Sequence, residues 1–144
     1  MRHDRSVART ALRPLLAIVV ALAAAMAVAA SPAAADGPHS YVRDNHGSDL
    51  GSVWFKSSGD HFYVCDHARD GHSVVAQYSY RLSGGGTSKL VQLWNPTGSK
   101  YNGCVDFGRA ADIPEKRTVT YRACTGEYGS RKVLACGPWR TATS

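Results

Sequence analysis

From residue 51 onward the apolar residues recur at every second position in short runs, and no stretch keeps the spacing of a helix. A chain patterned this way buries one face of each strand and wets the other. The runs fall at 51–56, 61–66, 73–82, 89–94, 101–107, 116–124 and 131–136. Between them stand turn formers: Ser57-Ser58-Gly59-Asp60, Arg69-Asp70-Gly71, Ser83-Gly84-Gly85-Gly86, Asn95-Pro96-Thr97-Gly98, and the stretch 126–130. A single flat sheet of seven strands would leave an apolar face in water. The fold expected is therefore all-β, a two-layer antiparallel β-sandwich.

Alternation divides each strand into faces. The core face reads Val53, Phe55, Phe62, Val64, Val74, Ala76, Tyr78, Tyr80, Leu82, Val91, Leu93, Val105, Phe107, Val119, Tyr121, Ala123, Val133 and Ala135. The opposite parity holds Ser52, Lys56, His61, Gln77, Arg81, Gln92, Asn102, Asp106, Thr118, Thr120, Arg122 and Lys132, and reads as solvent-facing. All four cysteines share that outer parity, so their bridges should staple neighbouring strands and not cross the sandwich. Four cysteines allow three connectivities. Cys124 and Cys136 are equidistant from Ser130, so a hairpin there sets them opposite each other, which leaves Cys65 with Cys104.

The first 35 residues have a different character. Arg2, Arg5, Arg9 and Arg13 precede an apolar run from Leu15 to Ala30, and Ser31-Pro32-Ala33-Ala34-Ala35 supplies small side chains of the A-x-A kind. Residues 1–35 read as a secretory signal peptide cut before Asp36. The run is too short for a typical bilayer span, so no membrane association is expected after cleavage. Residues 36–50 read as a loose polar lead, and 51–144 as the β-sandwich domain, secreted and extracellular. Past residue 35 the chain has 13 bases and 10 acids, a modest excess. Lys116-Arg117 and Arg131-Lys132 are its densest basic spots, too sparse for a nucleic-acid stripe. No nucleic-acid partner is expected.

Three large aromatics land on the outer parity: Trp54, Tyr63 and Trp94. Rings of this kind on a sheet face give contact area with few rotors to freeze. They are the candidate ligand-binding residues, for a glycan or a protein surface, unless another segment covers them. Asp66 and Asp70 flank a turn and are weak candidates for a metal, but calcium wants more oxygens than two carboxylates give; the simpler role is an Asx turn. Zinc is disfavoured, because no two cysteines form a C-x-x-C pair. His61, His67 and His72, with Glu115 or Glu127, are raw material for acid–base chemistry, but no spacing fixes a catalytic pair. The chain has neither a G-x-S-x-G elbow nor an H-E-x-x-H helix. The Gly84-Gly85-Gly86-Thr87-Ser88-Lys89 stretch lacks the order of a phosphate loop. No cofactor and no enzymatic activity are expected.

The runs Ser58-Gly59-Asp60-His61-Phe62-Tyr63-Val64-Cys65-Asp66 and Asp70-Gly71-His72-Ser73-Val74, then Val119-Thr120-Tyr121-Arg122-Ala123-Cys124 and Cys136-Gly137-Pro138-Trp139, resemble a group of small exported actinobacterial proteins of unassigned function. That resemblance implies secretion and a β domain and brings no catalytic residues. In size and cysteine count the chain is also similar to the secreted subtilisin-inhibitor family. That family's reactive loop opens with Cys-Pro, whereas here Pro138 follows Cys136-Gly137. The expected function is a secreted, monomeric, non-enzymatic binding module, with protease inhibition or another enzyme-directed role as the alternative.

Overall fold

A computed structural model describes residues 36–96, 103–108 and 112–144. The expected signal peptide, together with Thr97, Gly98, Tyr101 and Asn102, lies outside the described residues. Among the described residues nine strands form: β1 (Ser40–Arg43), β2 (Asp49–Lys56), β3 (His61–Asp66), β4 (Ser73–Tyr80), β5 (Val91–Trp94), β6 (Gly103–Phe107), β7 (Thr118–Glu127), β8 (Lys132–Cys136) and β9 (Arg140–Thr143). They build two antiparallel sheets packed as a sandwich. Sheet A runs β1-β2-β3-β6; sheet B runs β5-β4-β7-β8, with β9 pairing the first half of β7. Among the described residues there is no helix, hence none long and apolar enough to cross a membrane.

The inner faces follow the alternation. Phe62 lies at the centre, its ring 4.5 Å from Tyr78, 4.9 Å from Phe55 and 5.8 Å from Tyr121. Val53, Val64, Val74, Ala76, Val119 and Ala123 complete the same cluster. The Tyr121 hydroxyl donates to the Pro38 carbonyl at 2.5 Å, and burial pushes the phenol pKa up to about 12. The phenol thus stays a neutral donor through the ordinary pH range.

Several expectations need correction. The stretch 36–50 is not loose: it supplies β1 and the start of β2, with Val42 buried in the core. Ser40 on the buried side and Tyr41 on the outer one blur the contrast between the faces of β1, which hid the strand. Leu82 is 44% exposed, because β4 stops at Tyr80 and the chain turns through Gly85 and Gly86. A register shift opposite Thr125 and Gly126 carries Val133 to the outer side, where it packs with Val75, Trp94 and Cys124, while Ala135 is exposed. Outer-parity Ser52 and Gln77 are buried rather than solvated. Ile113, between β6 and β7, plugs the core without belonging to any strand.

Polar links tie the layers together. The Ser40 hydroxyl donates to the Pro138 carbonyl and accepts from the Ala123 amide, so β1 is held to sheet B as well as to β2. Gly137 passes so close to the Tyr41 carbonyl that no side chain fits there. Asn95, fully buried just past β5, donates through Nδ2 to the carbonyls of Val64 on β3 and Gly103 on β6, at 3.0 and 3.1 Å. One amide therefore joins the end of sheet B to two strands of sheet A.

Both disulfides form as expected, Cys65–Cys104 and Cys124–Cys136. Each joins residues directly opposite on adjacent strands, β3 with β6 and β7 with β8. Two such bridges suit an oxidising compartment.

Candidate functional site

The three candidate aromatics do not share a surface. Trp54 and Tyr63 are cross-strand partners on the outer face of sheet A, with ring centroids 4.7 Å apart and planes within 10°. Trp94 lies on sheet B and is only 7% exposed. The β7–β8 hairpin covers it, with Tyr128 edge-on at 6.4 Å, Arg131 at 5.5 Å, and Gly126 too close to carry a side chain. Its parity is outward, as expected, but its ring is a structural plug.

Trp54 and Tyr63 gain neighbours that sequence reading missed. His39 stacks on the other face of Trp54 at 4.6 Å and 16°. Tyr41 flanks His39 at 5.7 Å, and His61 flanks Tyr63 at 6.1 Å, again with nearly parallel planes. The alternation of His39 and Tyr41 with inward Ser40 and Val42 was the available clue. Arg43 approaches the Tyr41 ring to 5.5 Å while holding Asp49 at 2.6 Å.

The geometry of this row follows from strand spacing. Adjacent strands lie about 4.7–4.9 Å apart, which matches the centroid separations of His39, Trp54 and Tyr63. The rings therefore stand upright on the sheet, faces against one another and edges outward. A sugar needs an open ring face to stack on. Here the inner faces of the row are already taken, so solvent meets the edges of rings whose rims include hydrogen-bonding atoms.

The histidines take separate partners. His61 Nδ1 meets the Asp106 carboxylate at 2.8 Å, beside Tyr63, which pairs with Asp106 across the strands. His67 Nε2 meets the Ser52 hydroxyl at 2.9 Å, but Ser52 is buried and offers no approach to a substrate. His72 Nδ1 meets Glu127 at 2.7 Å, so Glu127 is the foreseen acid that finds a histidine, while Glu115 stands near Asp60. Asp66 and Asp70 accept from the amides of Ala68 and His72, making the Asx turns that carry the chain from β3 to β4. Among the described residues no group of three metal-ligating side chains gathers.

Among the described residues two carboxyls depart from ordinary behaviour. Amide donation, chiefly from Ser48, holds the Asp44 carboxyl below its usual range as it shapes the β1–β2 turn. Partial burial, then the nearby Glu115, pushes Asp60 upward. Its proton is held more tightly in the fold than in the unfolded chain, so its stabilising contribution is present at low pH and is lost as pH rises through the raised value. Asp60 also adopts φ 54°, which Asn tolerates well. Asp60→Asn should therefore raise stability at pH 7 by a few tenths of a kcal/mol, solvent screening keeping the gain small, and leave it unchanged near pH 3. Paired thermal melts at the two pH values check this, and a larger gain at pH 3 would reverse the sign.

No protein-family model matches the chain, and neither a curated protein nor a solved structure shows significant similarity to it.

Proposed function

We propose that the protein is an exported, non-enzymatic binding module that engages an extracellular protein through the outer face of sheet A. The observation that carries this reading is the upright row of His39, Trp54 and Tyr63, flanked by Tyr41 and His61. Mutual stacking fixes the rings before any partner arrives, so little side-chain freedom remains to be lost on association. Their edges combine apolar area with hydrogen-bonding atoms, the composition typical of protein-binding hot spots. Edge presentation favours a protein surface over a stacked sugar. The leader-like first 35 residues and the two disulfides support export, as does the resemblance to small exported actinobacterial proteins.

Selection of a random peptide library against the immobilised protein tests the reading. Enriched peptides should bind Trp54→Ala and Tyr63→Ala at least about tenfold more weakly, and Lys132→Ala unchanged. Trp54→Ala should itself cost about 1–2 kcal/mol of stability through its two lost stacks, so binding is measured well below the melting temperature. Peptides indifferent to both substitutions would overturn the proposal. So would a glycan-array signal that Trp54→Ala abolishes, or stoichiometric inhibition of secreted serine proteases that survives it.

A further inference from the structure

The modest net charge hides a strong segregation. Sheet B and the β4–β5 and β7–β9 connections, residues 73–96 and 118–144, carry six bases, Arg81, Lys89, Arg122, Arg131, Lys132 and Arg140, against one acid, Glu127. Glu127 is itself taken up by His72. In sheet A the balance is reversed, with Arg43 and Lys56 against Asp44, Asp49, Asp60, Asp66 and Asp106 over residues 40–66 and 103–107. Among the described residues, none of the six bases makes an ion pair.

Two of these bases also sit over aromatic rings. Arg122 lies on the outer face of β7, its guanidinium 4.3 Å above the Trp139 ring, and its Nε donates to Gln77 Oε1 at 3.0 Å. Arg131, in the β7–β8 turn, lies 4.0 Å above Tyr128 and 5.5 Å from the Trp94 ring. A guanidinium seated over a ring still presents its outward N–H groups as a planar fork, suited to bidentate capture of a carboxylate or sulfate. Tyr128 and Trp139 remain 41% and 43% exposed. On the same outer face stand Thr118, Thr120, Thr141 and Gln92, neutral donors and acceptors suited to hydroxyl groups.

We propose that the outer face of sheet B is a second binding site, for an acidic polysaccharide, with Arg122 and Arg131 as its anion-binding residues. The chemistry shared by candidate ligands is a carboxylate or sulfate carried at intervals on hydroxyl-rich rings. Single-stranded nucleic acid fits less well, because it needs aromatic faces for its bases to stack on, and here guanidinium groups occupy faces of Tyr128 and Trp139. The site is independent of the row on sheet A.

Binding of heparin and of polygalacturonate to the full protein tests the proposal, with neutral dextran and a single-stranded DNA oligonucleotide as comparisons. Both acidic polysaccharides should bind, dextran should not, and DNA should bind more weakly than either. Arg122→Gln and Arg131→Gln should each weaken polysaccharide binding about tenfold, the loss expected for one charge-assisted contact. Lys56→Gln, which removes the same charge from sheet A, should change it less than about twofold. Arg131 lies in an exposed turn, so its variant reports on binding even if Arg122→Gln perturbs the fold. Trp54→Ala should leave polysaccharide binding intact, which separates this site from the peptide-binding surface. Equal losses from Lys56→Gln and Arg131→Gln would reduce the effect to net charge and overturn the proposal. Tighter binding of DNA, or no binding of either polysaccharide, would overturn it as well.

Discussion

Phe62→Ala should lower the unfolding free energy by about 4 kcal/mol, the upper part of the range for buried aromatic truncation. Phe62 has no solvent exposure, and its ring touches three other rings, one from its own sheet and two from the opposite one. Truncation removes the transfer free energy of the ring and three aromatic contacts, and leaves a cavity between two sheets whose hydrogen-bonded ladders resist collapse. For a domain of this size, that corresponds to a fall in melting temperature on the order of 15–25 °C. Phe107, opposite Phe62 on edge strand β6, is only half-buried, and Phe107→Ala should cost about 1–2 kcal/mol. Thermal melts of the two variants check the contrast. Equal losses would mean that sheet A does not pack through Phe62.

Removal of the Cys65–Cys104 bridge by paired Cys→Ala substitution should cost about 4 kcal/mol, and removal of Cys124–Cys136 about 3 kcal/mol. The order follows from the chain segments released. The first bridge spans 39 residues and encloses all of β4 and β5, whereas the second spans 12 and closes a hairpin that the β7–β8 ladder already holds. Urea titrations should show a lower midpoint for each variant and a steeper slope for the first, whose unfolded chain expands more. If loss of the shorter bridge proves costlier, local packing of Cys124 against Val75 and Trp94, not chain entropy, sets the balance.

Alternation revealed the fold where strands lie inside a sheet. For β2, β3, β4 and β7 the inward residues are those that period two selects, because both neighbours hold each strand in register. It failed at the margins. On β8 a single bulge reverses which side Val133 takes, and nothing in Lys132-Val133-Leu134-Ala135 marks it. On β1 a buried serine beside the buried valine, with a tyrosine on the outer face, gave too little contrast between faces, and with that strand went His39 and Tyr41. Trp54 and Tyr63 were legible because parity alone aligns them across a hairpin. The cover over Trp94 depends on a hairpin turning back over the sheet, a tertiary event that parity does not encode.

Asn95 bears on the chemical ageing of the chain. Asparagine deamidates when the amide nitrogen of the next residue attacks its side-chain carbonyl, and the residue following Asn95 is Pro96, which has no N–H with which to attack. The amide that spans the two sheets is therefore shielded from conversion to a carboxylate, which would set a negative charge against the Val64 and Gly103 carbonyls it now serves. Asn102 has the opposite neighbour, Gly103, which gives that attack the least steric hindrance. Covalent wear should therefore begin at Asn102 and reach Asn95 last.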